Sequence, residues 1–259
     1  MPILTTGAGK YAAIASGPAF PLLTNLVARW KADAGVTTSS GNVTQVLDQS
    51  GNGYHLVNNG VVPFNAASAY NGKPAFDFLA ANNAALKTAP NAVVLPDPTS
   101  LSVFMVCRLA TGHTSYAGGI SIATGSGNDF DGAGNATVFA KFGPGNQIQT
   151  IAAPAVNMTS NISLDTNMRL GLNSQYASGT GQTTQYINNV VGSAGTNPYL
   201  ATLTTPTNIV IGNRWISGAV AGSGNVWQGP ILEVVVMSAF ASSTERSDLD
   251  TYFLAQWGA

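Results

Sequence analysis

Charged side chains are scarce in this sequence. They make up 8% of the 259 residues, whereas soluble domains carry about 25%. The formal net charge is −1, and the lysines and arginines form no cluster that would neutralise a phosphate backbone. The sequence therefore argues against nucleic-acid binding. Neutral polar residues, chiefly Asn, Thr, Ser, Gly and Gln, are expected to cover the surface.

Long apolar runs and cysteine pairs are also missing. No segment approaches the roughly 20 apolar residues that span a bilayer. Lys10 lies where a secretory signal would have its apolar core. The single cysteine, Cys107, excludes an internal disulfide, and its apolar surroundings predict a buried thiol. Neither membrane insertion nor Sec-type secretion is predicted.

Short segments rich in β-forming residues recur between clusters of turn residues. They are 73–80, 101–110, 136–142, 167–176, 183–193, 208–214 and 230–238. In the fourth segment Met168 and Leu170 alternate with less apolar neighbours, which is typical of a strand with one buried face. Segments 101–110 and 230–238 are apolar on both faces and predict central strands covered on both sides. This pattern predicts an all-β sandwich or jelly roll.

One helix is predicted, at the C-terminus. Ser242 and Glu245 have the S-x-x-E spacing of a capping box. Leu249 and Phe253 then lie on one helix face at positions i and i+4. We expect a short amphipathic helix that packs on the sandwich.

The chain has no internal repeat and no break in composition. We therefore predict one domain over residues 26–259, preceded by an extended N-terminal arm over residues 1–25. The arm is rich in Ala, Gly and Pro, and we expect it to dock on its own domain or on a neighbouring chain.

Three segments carry a family resemblance. They are LVARWKADAGVTTSSGNVTQVLDQSGNGYHL, NGKPAFDF and WQGPILEVVVMSAFASSTERSDLDTYFLAQWG. Together they resemble the concanavalin A-like, laminin-G-like jelly-roll modules of bacteriophage structural and bacterial extracellular proteins. The resemblance covers residues 26–80 and 226–258 and implies a jelly-roll β-sandwich. Such modules bind sugars, decorate virions or act as spacers, so the fold alone does not fix the function.

The stretch DQSGNGYH combines an acid, a hydroxyl group and a histidine, as an active site would. The resemblance implies instead a structural corner, built from Asp48, Ser50, Gly51, Asn52 and Gly53. There the acid and the serine would bond backbone amides, and the two glycines would supply positive φ. His55 has no second histidine nearby, so a structural or exposed role is favoured over a catalytic one.

Paired carboxylates of the kind that hydrolyse glycosidic bonds are not evident. The chain has two glutamates, and the E-x-D-x-E pattern of glucanases in this superfamily is absent. Glu233 is predicted to pair with an arginine or a backbone amide within the sheet. We therefore predict that the protein is not an enzyme; the alternative is a glycan-active enzyme that uses an unfamiliar acid pair, such as Asp129 with Asp131.

Asp129 and Asp131 also have the D-x-D spacing of calcium loops. The next position of that pattern is Ala133, and no bidentate glutamate follows. A solvated loop is therefore favoured, with calcium as the alternative. One cysteine and two distant histidines argue against zinc, and no other cofactor is predicted.

Four aromatic residues are candidates for sugar stacking: Trp215, Trp227, Tyr199 and Tyr116. The two tryptophans flank a glycine-rich loop, and a position in the core or at a protein interface is favoured for both. Trp30 and Trp257 are predicted to lie in the core.

These observations predict a non-catalytic virion structural protein of a bacteriophage, as a capsid-decoration, cement or tail-associated subunit. Its partners would be other virion proteins, including further copies of itself, and its location would be the virion. The alternative is an extracellular carbohydrate-binding, lectin-like module for host or environmental glycans.

Overall fold

The computed structural model describes residues 18–90, 92–113, 116–124, 127–129, 135–141, 146–152, 156–175, 181–196, 203 and 205–258. In these ranges the chain folds as an all-β sandwich, which confirms the predicted fold class. The helix α1, Ser243–Trp257, closes the C-terminus. No helix within these ranges is long and apolar enough to cross a bilayer.

The first sheet has eight antiparallel strands. They are β1 Leu26–Lys31, β5 Phe64–Asn65, β6 Ala75–Phe78, β8 Ser100–Arg108, β13 Asn167–Gln175, β14 Gln182–Ile187, β15 Val190–Thr196 and β19 Gly229–Met237. The order across the sheet is β15-β14-β13-β8-β19-β6-β5, and β1 also pairs with β19.

The second sheet has nine strands. They are β2 Val36–Ser39, β3 Asn42–Val46, β4 Leu56–Asn59, β7 Ala85–Lys87, β9 Ile120–Ala123, β10 Ala136–Lys141, β11 Gln147–Ala152, β12 Val156–Asn161 and β16 Asn208–Ile211. The order is β12-β11-β10-β9-β16-β7-β4-β3-β2. A small hairpin, β17 Trp215–Ile216 and β18 Ala219–Val220, lies apart from both sheets.

The main core lies between the two sheets. Alternate residues of each strand point into it, as the two-residue side-chain period requires. Trp30, Met105 and Val234 come from the first sheet, and Leu86 and Ile122 from the second; all are almost fully buried. The predicted burial of Cys107 is confirmed, because this thiol belongs to the same cluster.

Helix α1 covers the outer face of the eight-stranded sheet. Phe104, Val106, Leu232 and Val235 of β8 and β19 form a second buried cluster with the helix side chains Leu249, Tyr252, Phe253 and Trp257. This explains why β8 and β19 are apolar on both faces, and it confirms them as central strands. The predicted capping box is present, since Ser242 Oγ accepts from Glu245 N at 3.2 Å.

The segment 183–193 forms a hairpin of two strands. Asn188 and Asn189 form its turn with φ of 52° and 63°, so β14 ends and β15 begins within the run. Asparagine tolerates this left-handed conformation better than other non-glycine residues. The strands β2–β5 and β7 were not predicted, because each is too short to give a periodic signal.

The described part of the arm, residues 18–25, precedes β1 and lies against its own domain. Phe20 stacks on the Arg29 guanidinium, with 3.7 Å between that group and the ring centre. Thr24 N donates to Glu245 Oε1 at 2.7 Å, which ties the arm to the start of α1. Residues 1–17 of the predicted arm lie outside the described ranges.

Candidate functional site

The stretch DQSGNGYH forms a tight corner between β3 and β4. Asp48 Oδ1 accepts from Ser50 N at 2.9 Å, and Asp48 Oδ2 accepts from Tyr54 N at 3.1 Å. Gly51 and Gly53 have φ of 93° and 79°, which side chains of L-residues disfavour. The corner therefore fixes the direction in which the next residues leave it.

After the corner, Tyr54 packs partly against the main core, and His55 is exposed directly before β4. Tyr54 is held by its backbone, since Trp30 Nε1 donates to its carbonyl oxygen at 2.7 Å. Its hydroxyl oxygen accepts from Val94 N at 3.2 Å, across to the segment that follows β7. His55 Nδ1 accepts from Asp48 N at 3.1 Å. Because Nδ1 is an acceptor, the neutral ring carries its proton on Nε2, where it is free to donate to a ligand.

An open cleft of about 270 Å³ lies between this corner and the segment after β7. It is lined by Gln45, Gly53, Tyr54, His55, Val57, Thr88, Ala89 and Ala92. Gln45 and Val57 are cross-strand neighbours on β3 and β4, and Lys87 of β7 pairs with Val57 on its other side. Gln45 and Val57 therefore form the part of the floor that lies on the sheet, and Lys87 lies on the next strand, outside the lining.

The cleft combines an apolar floor with a few polar groups that are open to a ligand. Val57 is 40% exposed, and Ala89 and Ala92 extend the apolar surface. The Gln45 amide makes no hydrogen bond to any group in the described ranges, so its donor and acceptor remain available. His55 adds an exposed donor. Small-molecule sites commonly have this composition.

Asp129, the calcium candidate, is a buried anchor beside the β17–β18 hairpin. Its Oδ1 accepts from Arg214 Nη2 at 2.6 Å. Its Oδ2 accepts from Arg214 Nε at 3.3 Å, from Trp215 N at 3.2 Å and from Ser121 Oγ. The side chain is fully buried and both oxygens are bonded, so the solvated loop favoured by the sequence is wrong at Asp129. Asp129 has the contacts of a structural ion pair and not those of the alternative, a solvent-facing calcium ligand.

The other acid of the predicted pair, Asp131, lies outside the described residues. No group of three or more His, Cys, Asp or Glu side chains suited to a metal is found among the residues that the structure describes. Asp129 is therefore placed as a partner of Arg214, and the roles suggested for Asp131 stay predictions.

The tryptophan candidates are both buried. Trp227 has no exposed surface, and its Nε1 donates to Arg108 O at 3.1 Å. Trp215 is 9% exposed and packs on Ala85, Ala123 and Val210 on the outer face of the nine-stranded sheet. A ring with so little exposed area cannot stack on a sugar. In this arrangement both tryptophans are packing residues.

The two tyrosine candidates differ. Tyr116 is 52% exposed in the loop before β9. Tyr199 lies outside the described residues. Neither residue lines the cleft, so the sequence candidates for sugar stacking are not brought together by the part of the chain that the structure describes.

Glu233 is the centre of a buried polar cluster under α1. Arg29 Nε donates to Glu233 Oε1 at 2.7 Å, which confirms the predicted pairing with an arginine. Tyr252 Oη and Trp257 Nε1 donate to Oε2 at 3.2 Å and 2.7 Å. Burial raises the pKa of Glu233 above its ordinary value, and the attraction of Arg29 offsets part of that shift.

The remaining carboxylates of the described ranges are also used by the protein itself. Apart from the exposed Asp248, each accepts a hydrogen bond or an ion pair from a protein group: Asp33, Asp48, Asp77, Asp97, Asp129, Asp165, Glu233, Glu245 and Asp250. None of them lines the cleft. The cleft therefore has groups suited to binding a neutral polar ligand, and it lacks an acid pair for hydrolysis among its lining residues.

No model of a known protein family matches this chain, and no curated protein sequence matches it. Solved structures of similar fold do exist. Domain 4 of AbnA, an extracellular GH43 arabinanase from Geobacillus stearothermophilus solved with arabinotriose, has a TM-score of 0.59 at 14% identity. The match covers 88% of this chain and 100% of that domain.

Two further structures are similar over only part of their own length. An arabinofuranosidase complexed with arabinofuranosyl-α-1,2-xylobiose has a TM-score of 0.56 at 16% identity, over 92% of this chain and 60% of that one. The binding domain of Paraclostridial Mosquitocidal Protein 1 has a TM-score of 0.57 at 11% identity, over 90% and 55%. At these identities the matches establish the β-sandwich fold alone.

Proposed function

We propose that this chain is a non-catalytic, concanavalin A-like carbohydrate-binding module whose site is the cleft beside Tyr54 and His55. One observation carries the proposal: an open cleft on an exposed sheet face offers unpaired hydrogen-bonding groups above an apolar floor. Sugars present hydroxyl groups around apolar C–H faces, and such a cleft complements both. Similar structures solved with arabinotriose or a substituted xylobiose support the choice of ligand class.

Each lining group has a role in this proposal. The Gln45 amide donates to one hydroxyl and accepts from another, and His55 Nε2 donates to a further hydroxyl. The Tyr54 ring and Val57 provide the apolar contact. Because Asp48 fixes the backbone at Tyr54 and the ring tautomer at His55, these groups lose little freedom when a ligand binds.

Immobilised neutral and acidic oligosaccharides test the proposal with the intact chain and three variants. Gln45→Ala and His55→Ala each remove hydrogen bonds to the ligand, and we expect each to weaken binding about two- to tenfold. Gln182→Ala is the matched control, since this exposed glutamine lies on β14 of the other sheet. Binding that survives both cleft variants, or no binding to any oligosaccharide, contradicts the proposal.

Hydrolysis gives a separate test of the non-catalytic assignment. We expect no release of reducing ends from any oligosaccharide that the chain binds, because no carboxylate lines the cleft. Release that disappears in Asp131→Asn would establish the enzyme alternative instead.

A virion role stays a prediction. It rested on the low charge, on a single lectin-like module without a catalytic pair, on the family resemblance and on the N-terminal arm. Residues 1–17 of that arm lie outside the described ranges. The identity of chains that co-purify with the native protein would test it. A monomer with no co-purifying chain would argue against the virion role. The extracellular carbohydrate-binding module would then be the better interpretation, and the similarity to the arabinanase domain also favours it.

A further inference from the structure

Lys87, a cation on the strand next to the cleft, has no partner among the residues that the structure describes. Lys87 of β7 pairs with Val57 of β4 on one side and with Val210 of β16 on the other. It is partly buried and makes no ion pair, hydrogen bond or ring contact within the described ranges. Most other lysines and arginines of the described ranges have a protein partner, for example Arg29 with Glu233 and Arg214 with Asp129.

Lys87 lies within reach of the cleft. Directly paired residues of neighbouring strands are about 4.5–5.5 Å apart, and their side chains lie on the same face. Since Val57 forms part of the cleft floor, the lysine stem starts one strand away from it. Lys87 is not itself a lining residue, but its flexible stem is long enough to span the distance between neighbouring strands.

Among the residues that the structure describes, no carboxylate competes for this charge at the cleft. None of the lining residues is acidic. Asp48, the acid that shapes the adjacent corner, is 8% exposed, and its oxygens already accept from Arg29 N, Ser50 N, Ser50 Oγ and Tyr54 N. A negative group on a bound ligand would therefore meet an uncompensated cation together with the donors of Gln45 and His55.

We propose that the cleft selects acidic saccharides, with a sugar carboxylate paired to Lys87 and the sugar hydroxyls bonded to Gln45 and His55. This inference rests on the proposed carbohydrate-binding function and names its ligand class. Charge-assisted hydrogen bonds are stronger than neutral ones, so a single pair adds both affinity and selectivity. The partial burial of Lys87 favours this contact over a fully exposed ion pair.

The experiment compares each acidic ligand with a neutral form of the same sugar. Tetragalacturonate is compared with its methyl ester, and sialyllactose with lactose, by calorimetry on the intact chain. We expect one acidic ligand to bind about three- to tenfold tighter than its neutral form at low salt, with a smaller ratio in about 0.5 M NaCl.

Variants assign the preference to one side chain. Lys87→Met keeps the length of the side chain and should remove the preference for the acidic form while leaving the neutral form bound. Lys87→Arg keeps the positive charge and should retain the preference for the acidic form. Lys73→Met is the control, because Lys73 also has no ion-pair partner but lies beside β6 of the other sheet.

The outcomes separate the two proposals. Equal binding of both forms, unchanged by Lys87→Met but weakened by Gln45→Ala, overturns the acidic selectivity and keeps the carbohydrate function. A preference that Lys87→Met leaves intact also overturns the assignment, as does binding of a sulfated oligosaccharide without binding of the carboxylates. Failure of all four ligands to bind overturns the inference, and failure of the wider oligosaccharide panel overturns the proposed function with it.

Discussion

The two outer faces of the sandwich differ in what covers them. On the eight-stranded sheet, α1 buries an apolar cluster and the ion pair of Arg29 with Glu233. On the nine-stranded sheet, Trp215 of the small β17–β18 hairpin packs on Ala85, Ala123 and Val210, and the described residues leave a cleft open near β4 and the segment after β7. The first face contributes stability. The second leaves hydrogen-bonding groups without protein partners, and such groups are the ones available to a ligand.

The largest expected loss of stability comes from breaking the buried ion pair under α1. Arg29→Met leaves the Glu233 carboxylate buried without its cation, and loss of one partner of a buried pair costs about 3–5 kcal/mol. Urea unfolding of the variant and the parent would measure the change. Adding Glu233→Gln to the variant should recover much of the loss, because no buried charge then remains. A single-variant loss below about 1 kcal/mol would contradict this role for the pair.

The next prediction concerns the anchor of the β17–β18 hairpin. Asp129→Asn keeps the shape of the side chain but removes the negative charge that is bonded to Arg214, so we expect a loss of about 2–4 kcal/mol in unfolding free energy. Calcium or EDTA should not change the Tm of the parent protein, since protein donors already occupy both Asp129 oxygens. A rise in Tm with calcium that Asp129→Asn abolishes would support the calcium alternative.

Most of the covered face could be predicted from the sequence. Continuous apolar runs in β8 and β19 require cover on both sides, and the spacing of Ser242 and Glu245 marks the start of the helix that provides it. The partner of Glu233 was predicted only as an arginine or a backbone amide. The choice of Arg29 depends on the pairing of β1 with β19, which joins residues 204 positions apart.

The open face could not be predicted in the same way. Gln45 and Val57 come from strands of five and four residues, which are too short to give a periodic signal. The corner at Asp48 was predicted from its turn residues, but its consequence for Tyr54 and His55 depends on where β7 and its following segment lie. Trp215 and Trp227 drew attention as large aromatics, yet large aromatics are also the residues that fill cores.

A smaller effect is expected where the arm meets the helix. Burial raises the pKa of Glu245, but hydrogen bonds from Thr24 N and Ser242 N outweigh burial, and the pKa is lowered overall. A lowered carboxyl pKa stabilises the fold above the ordinary value of about 4.3, and this contribution is lost as the pH falls through the folded-state pKa. Glu245→Ala should cost about 1 kcal/mol near pH 7.

The same variant provides its own control through pH. Near pH 3 the difference in unfolding free energy between Glu245→Ala and the parent should shrink, because protonation removes the charge in the parent as well. A difference that stays constant between these two pH values would mean that the glutamate acts through packing alone.

The smallest stability effect is expected in the cleft. Gln45→Ala removes an amide that makes no hydrogen bond to the described residues, so the unfolding free energy should change by less than about 0.5 kcal/mol. Thermal unfolding would measure this. A larger loss would mean that Gln45 supports the fold, and its loss of binding could then not be assigned to a ligand contact.

The central claim is that the open face binds saccharides through the cleft at Tyr54 and His55. The most direct measurement is an amide chemical-shift titration of the intact chain with the best ligand of the oligosaccharide panel. We predict shifts concentrated at Gln45, Gly53–Val57, Lys87 and Thr88, with α1 and the β8–β19 face unchanged. Shifts concentrated on α1 or around Tyr116, with the cleft unchanged, would contradict the account.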